Sequence, residues 1–277
     1  MPATSLRRLR ATLALAAMLG AGPAVSHAQS APGPVPALDA QLAFLATAPI
    51  VAIRPIGRGT TGALRVTLSD GVTTHDAAFQ SVAIDPRVDG KKRAGEMRFA
   101  DHYRYNLAAW RLARALGLAH MTPATVERPV NGRRGALSWW VDDVLMDEAE
   151  RERRDEQPPV ALDFYRQQQR MFLFTELVRD MDRNKGNVLY TADWRVIMLD
   201  FTRAFRLDRS LKTPTLLSAC DRALFGVLKG LSRADVARAV DGTLRSDELG
   251  ALMARRDLLV AHFEDEIRRR GDAAVLY

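Results

Sequence analysis

The stretch "LVRDMDRNKGNVLYTADWRVIMLDFTRAF" holds Asp182, then Asn187 five residues later, then Asp200 thirteen residues after that. Asp, Asn and Asp at these offsets are what metal-assisted transfer of a phosphoryl group needs. One carboxylate orients and deprotonates an acceptor hydroxyl, while an amide oxygen and a second carboxylate hold magnesium against nucleotide phosphates. The plainer reading of "DRNKGN" is an Asx-rich turn between a helix and a strand. Against it, Val196 to Leu199 reads as a strand that ends on Asp200, which would hold that carboxylate rigidly.

A second motif lies far upstream. Gly57, Gly59 and Gly62 in "IGRGTTGALRVTLSDG" have the spacing GxGxxG, which any glycine-rich hairpin can also produce. A dinucleotide-binding loop must run into a helix, whose N-terminal amides hold the pyrophosphate. Here the glycines lie between two alternating stretches, Val51 to Ile56 and Ala63 to Leu68, and the second closes on an Asp-Gly turn. That is strand, loop, strand.

The elements that must position these residues can be read in outline. A short helix is expected over 38–46, then strands near 50–56, 62–69 and 72–82. A helix should run from Asp101, as N-cap, to Gly117, as the glycine past its C-terminus. Two strands joined by Asn131-Gly132 follow. Residues 149–159, ending in Pro-Pro, read as a junction whose charged "ERERRDE" is a solvated face. Beyond it the chain reads as helical, with a core helix near 162–178 and further helices near 213–229, 232–242 and 245–270.

Taken together these motifs resemble the kinase superfamily, on the branch with phosphatidylinositol 3-/4-kinases, HipA-like kinases and secretory-pathway kinases. The catalytic loop is most similar to the type II phosphatidylinositol 4-kinase pattern D-R-x-x-x-N, matched by Asp182 to Asn187. Leu199-Asp200-Phe201 takes the place of the metal-binding D-F-G. The resemblance implies an α+β, two-lobed protein-kinase-like fold with a small β-rich N-lobe over about 48–148 and a larger, mainly helical C-lobe over 149–277. It implies Asp182 as the catalytic base, Asn187 and Asp200 as magnesium ligands, Gly57, Gly59 and Gly62 over the phosphates of ATP or another nucleotide, and residues 140–143, with Asp142, as the hinge at the adenine. Where the family carries a strand lysine this chain has Gln80, and Asn106 stands where a helix glutamate is expected. A neutral Gln–Asn pair can hydrogen-bond but cannot neutralise phosphate. Arg54, Arg65 or Lys91-Lys92-Arg93 would have to supply that charge.

Bulk properties narrow the surroundings. Arg7, Arg8 and Arg10 precede an apolar run, and Ser26-His27-Ala28 supplies small residues at a cleavage position. Residues 1–28 are expected to be a signal peptide, with 29–47 a leader. Its removal would lower the net charge of +7 by three, too little for nucleic-acid binding, and no basic stripe with interleaved aromatics occurs. No later segment is apolar for long enough to span a bilayer. A single cysteine, Cys220, forbids an intrachain disulfide, and the scattered histidines show no zinc spacing. The expectation is an exported monomer, periplasmic or extracellular, that binds a nucleotide and magnesium. It would transfer phosphate to a hydroxyl of a protein, lipid or sugar, or else act as a catalytically weak pseudokinase that binds a nucleotide or partner.

Overall fold

The structure, a computed structural model, describes residues 37–57, 62–85 and 99–277. The expected signal peptide, Gly59 and Lys91-Lys92-Arg93 lie outside these residues. Helix α1 (Leu38–Thr47) leads into strands β1 (Ile50–Pro55), β2 (Leu64–Ser69) and β3 (Thr74–Gln80). Alternate residues of these strands are apolar, so one face of the sheet packs inward, with Val66, Leu68, Ala77 and Phe79 fully buried. The Asn131-Gly132 turn, with both residues at positive φ, joins β6 (Thr125–Val130) to β7 (Arg133–Trp139). All five strands pair antiparallel in the order β1-β2-β3-β7-β6.

Short strands β4 (Ala83–Ile84) and β5 (Asp101–His102) form a two-stranded ladder ahead of helix α2 (Arg104–Ala115). Here the structure departs from the expected cap. Helix α2 starts after Tyr103, and Asp101 is drawn back into β5, paired with Ile84 and 7% exposed. The backbone bond from His102 N–H to the Thr202 carbonyl, 2.8 Å, anchors that strand to the far part of the chain. A cap is a local preference worth about 1 kcal/mol, and this pairing overrides it. Helix α2 is buried on more than one face, with Trp110 in the core beneath the sheet and Ala108, Ala109 and Leu112 in the core of the helical part.

The supposed junction also begins as structure. Strand β8 (Val144–Asp147) leads into helix α3 (Glu148–Arg154), where the Asp147 carboxylate accepts from Glu150 N–H at 2.8 Å. Glu148, just ahead of "ERERRDE", accepts from Arg151 and from the Tyr190 hydroxyl, both at 2.6 Å, while residues 152–156 of that stretch are exposed. Helix α4 (Ala161–Val178) runs through the large core, and β9 (Val188–Thr191) with β10 (Val196–Met198) completes a three-stranded sheet in the order β10-β9-β8. Helices α5 (Arg222–Gly230), α6 (Arg233–Val240), α7 (Ser246–Arg270) and α8 (Asp272–Val275) finish the chain. The helix expected over 213–229 starts only at Arg222, because Asp221 caps it, accepting from Leu224 N–H at 3.0 Å. Among the described residues no helix is long and apolar enough to cross a membrane.

Gly135 in β7 shows how tightly the sheet closes over the cleft. A Cβ there would lie 2.5 Å from the Gln80 carbonyl and 2.5 Å from the Phe79 ring. Gly135→Ala should therefore force the strands apart and lower stability by about 1–3 kcal/mol. Urea denaturation monitored by far-UV circular dichroism checks this, and an unchanged midpoint would contradict it.

Candidate active site

Helix α4 ends at Arg179, whose left-handed backbone (φ 49°) turns the chain into the loop that carries Asp182 and Asn187. Buried Asp180 braces that loop. One oxygen accepts from Asp182 N–H at 3.0 Å, and the other is ion-paired with Arg183. Arg183 donates in turn to the carbonyls of Asn187 (2.8 Å) and Leu199 (2.5 Å), with its guanidinium 4.4 Å from the Phe201 ring. One side chain thus clips the loop to the segment that bears Asp200. Asn187 donates its amide N–H to the Asp182 carbonyl at 2.9 Å, which leaves its side-chain oxygen as the group with acceptor capacity.

Asp200 lies two residues beyond β10, not at the strand's last position, and is held by other means. Leu199 N–H donates to the Asn187 carbonyl at 2.9 Å, and Asp200 Oδ1 accepts from the Thr202 hydroxyl at 2.8 Å. Asp200 has φ 51°, a left-handed conformation in a residue other than glycine, a strain that persists where surrounding contacts impose it.

These residues border one cavity of about 970 Å³ between the five-stranded sheet and the helical part. Asp182, Asn187, Asp200, Gln80 and Asp142 all line it. Gln80 and Asn106 meet directly: the Asn106 amide donates to Gln80 Oε1 at 2.5 Å, and its oxygen accepts from Phe201 N–H at 2.7 Å. A neutral bridge therefore spans from β3 through α2 to the residue after Asp200. Asp142 Oδ2 lies 2.6 Å from His75 Nε2, and that imidazole stacks on Trp139 with ring centroids 3.7 Å apart. Gly57 and Gly62 take positive φ, 72° and 66°, at the ends of a hairpin closed by Ile56 N–H to the Ala63 carbonyl at 3.1 Å. Ile56 and Ala63 line the cavity; the two glycines beside them do not.

Of the residues expected to supply charge, Arg54 and Arg65 do not line this space. Arg54 and Arg65 both bind Asp76, at 3.3 and 2.5 Å, and Arg65 also lies 4.0 Å above the Trp140 ring. Among the described residues the cavity is lined by six aspartates and one cation, Arg203, which is 3.5 Å from Asp182. Asp101 is among those six, and sequence reasoning had assigned it only to a helix cap. Burial pushes its carboxyl above the ordinary range. The Thr202 hydrogen bond and the Arg203 charge oppose that shift, and the charges of Asp200 and Asp182 add to it. Its Oδ1 is buried and accepts no hydrogen bond. No local pattern marks this residue, because its partners lie about a hundred positions away.

Magnesium or manganese favours oxygen donors and seldom sits on protein ligands alone. The donors here, an amide oxygen and carboxylates, are of that kind. Among the described residues no three His, Cys, Asp or Glu side chains gather into a metal site by themselves, so phosphate oxygens would have to complete the shell. The residues fit such an ion bound together with a nucleotide.

No family model matches the chain, and no curated protein matches it in sequence. Solved structures do match in shape. The structure of hydra Fam20 with sugar superposes with a TM-score of 0.66 at 16% identity, over 85% of this chain and 90% of that one. The fold is kinase-like. The Golgi casein kinase with Mn/ADP bound superposes at 0.62 and 14% identity over 86% and 78%. CtkA, a proinflammatory kinase of Helicobacter pylori, gives 0.53 and 12% over 81% and 98%. The α+β architecture, with a β-rich small lobe above a mainly helical large one, is thus established for this kinase-like chain. At these identities the likeness carries the fold and no substrate.

Proposed function

We propose that this kinase-like chain binds a nucleotide with a divalent cation in the interlobe cavity and transfers its terminal phosphate to a hydroxyl of a protein, lipid or sugar. The observation that carries the reading is the convergence of Asp182, Asn187 and Asp200 on one cavity, from two loops clipped together by Arg183. Neighbours solved with Mn/ADP and with a sugar support it. In this reading Asp200 and the Asn187 oxygen hold the cation, which offsets phosphate charge when bound. Residues 140–143 meet the base, and Asp182 accepts the acceptor's proton as its oxygen bonds to phosphorus and the bond to the nucleoside diphosphate breaks. The protein acts as a monomer outside the cytoplasm, released after Ala28. N-terminal sequencing of protein from the native host should then begin at Gln29.

One observation favours a second reading, a pseudokinase that binds and does not turn over. The Gln80–Asn106 bridge occupies the position where a charged pair is expected, and it is neutral. Binding comes first in either case. Ligand at a hundred times its Kd stabilises the folded state by about 2.7 kcal/mol. ATP with magnesium should therefore raise Tm by several degrees, with far less from either alone and none in Asp200→Ala. Isothermal titration that detected no nucleotide binding with any divalent metal, in folded protein, would refute both readings and leave only the fold.

A further inference from the structure

Asp101 carries more than a strand. The residue is 7% exposed and lines the cavity, and its Oδ1 has no hydrogen-bond donor. A buried carboxylate oxygen without a partner is costly and rare, and such a group persists where a ligand completes it. Two routes tie Asp101 to Asp200. Both side chains interact with Thr202, whose hydroxyl donates to Asp200 Oδ1 at 2.8 Å, and the backbone of β5 is pinned to the Thr202 carbonyl at 2.8 Å. Around them the described lining has six aspartates against one arginine, Arg203, whose single charge is shared between Asp182 and Asp101. A polyphosphate cannot enter such a field without cations to offset it.

We infer that Asp101 is a metal-ligating residue, which with Asp200 holds a divalent cation supplying the positive charge that the Gln80–Asn106 bridge lacks. This rests on the nucleotide-binding reading above. It assigns two ions to the cleft, one on Asp200 with the Asn187 oxygen and one on Asp200 with Asp101. Oxygen-only donors suit magnesium or manganese, with phosphate oxygens and water filling the remaining positions.

Manganese binding can be counted by electron paramagnetic resonance in the presence of a non-hydrolysable ATP analogue. Wild type is expected to bind two ions per chain. Asp101→Asn and Asp101→Ser should bind one, with affinity for the analogue at least about tenfold weaker. Without ligand both variants should melt no lower than wild type, because they remove a buried carboxyl whose Oδ1 has no donor. One ion on wild type, wild-type stoichiometry and affinity in both variants, or a lowered unliganded Tm in both would overturn the assignment. Binding of the analogue by wild type together with any of those results leaves the nucleotide reading standing. If wild type fails to bind the analogue with any divalent metal, that reading fails and the Asp101 assignment falls with it.

Discussion

Asp182→Ala is expected to lower phosphoryl transfer by about 10²-fold or more while nucleotide affinity changes little. The expectation follows from where the structure puts the carboxylate. Its backbone N–H is fixed by buried Asp180 and its carbonyl by the Asn187 amide, so the side chain has a defined place at the cavity wall. That side chain is 37% exposed, open enough for an acceptor to approach. Arg203 at 3.5 Å and the Asn184 amide at 3.2 Å orient its two oxygens. None of these contacts holds the nucleotide, which is why binding should survive while turnover does not. Labelled phosphate transfer to serine peptides, inositol lipids and monosaccharides, alongside titration of nucleotide with magnesium, separates the two quantities. Equal transfer by wild type and variant would favour the binding-only reading.

Glu248→Ala should cost about 3–5 kcal/mol of stability, because it strips the carboxylate partner from largely buried Arg104 and leaves Arg245 with Asp85 alone. Glu248 is 2% exposed. It accepts from Arg104 at 2.6 and 2.9 Å, from the Tyr105 hydroxyl at 2.7 Å, and from Arg245 through both backbone N–H (2.8 Å) and side chain (3.1 Å). Arg104 opens helix α2 and Glu248 lies in the first turn of α7, so the network ties the helix that carries Asn106 to the helical part. A fall in Tm of roughly 10 °C is expected for a chain of this size. The same group gives a pH dependence. Burial alone would raise its carboxyl pKa, but Arg104 and the Arg245 backbone outweigh that and hold it below the ordinary 4.5. Its stabilising contribution is therefore complete above pH 4.5 and is lost as the pH falls from there through the depressed value. In Glu248→Gln the loss of stability with acid over that range should be shallower than in wild type. Parallel curves would show that another group titrates there.

The residues that converge on the cavity were legible in the sequence because each lies in a short motif with fixed offsets. Asp182 and Asn187 share one loop, and Asp200 follows a strand marked by the apolar run Val196 to Leu199. The strands themselves were legible because a half-buried sheet imposes period two on its residues, and the Gln80–Asn106 contact was implied by the resemblance to kinases, which pairs those two positions. Tertiary structure alone decided the rest. Asp101 reads as a helix cap by every local rule, yet pairing with Ile84 and a hydrogen bond with Thr202 make it a buried carboxylate that lines the cavity. Arg54 and Arg65 read as spare cations until Asp76 claims both. The fate of a charge depends on which opposite charge the fold brings within a few ångströms. Local periodicity carries no record of pairs that lie tens of residues apart.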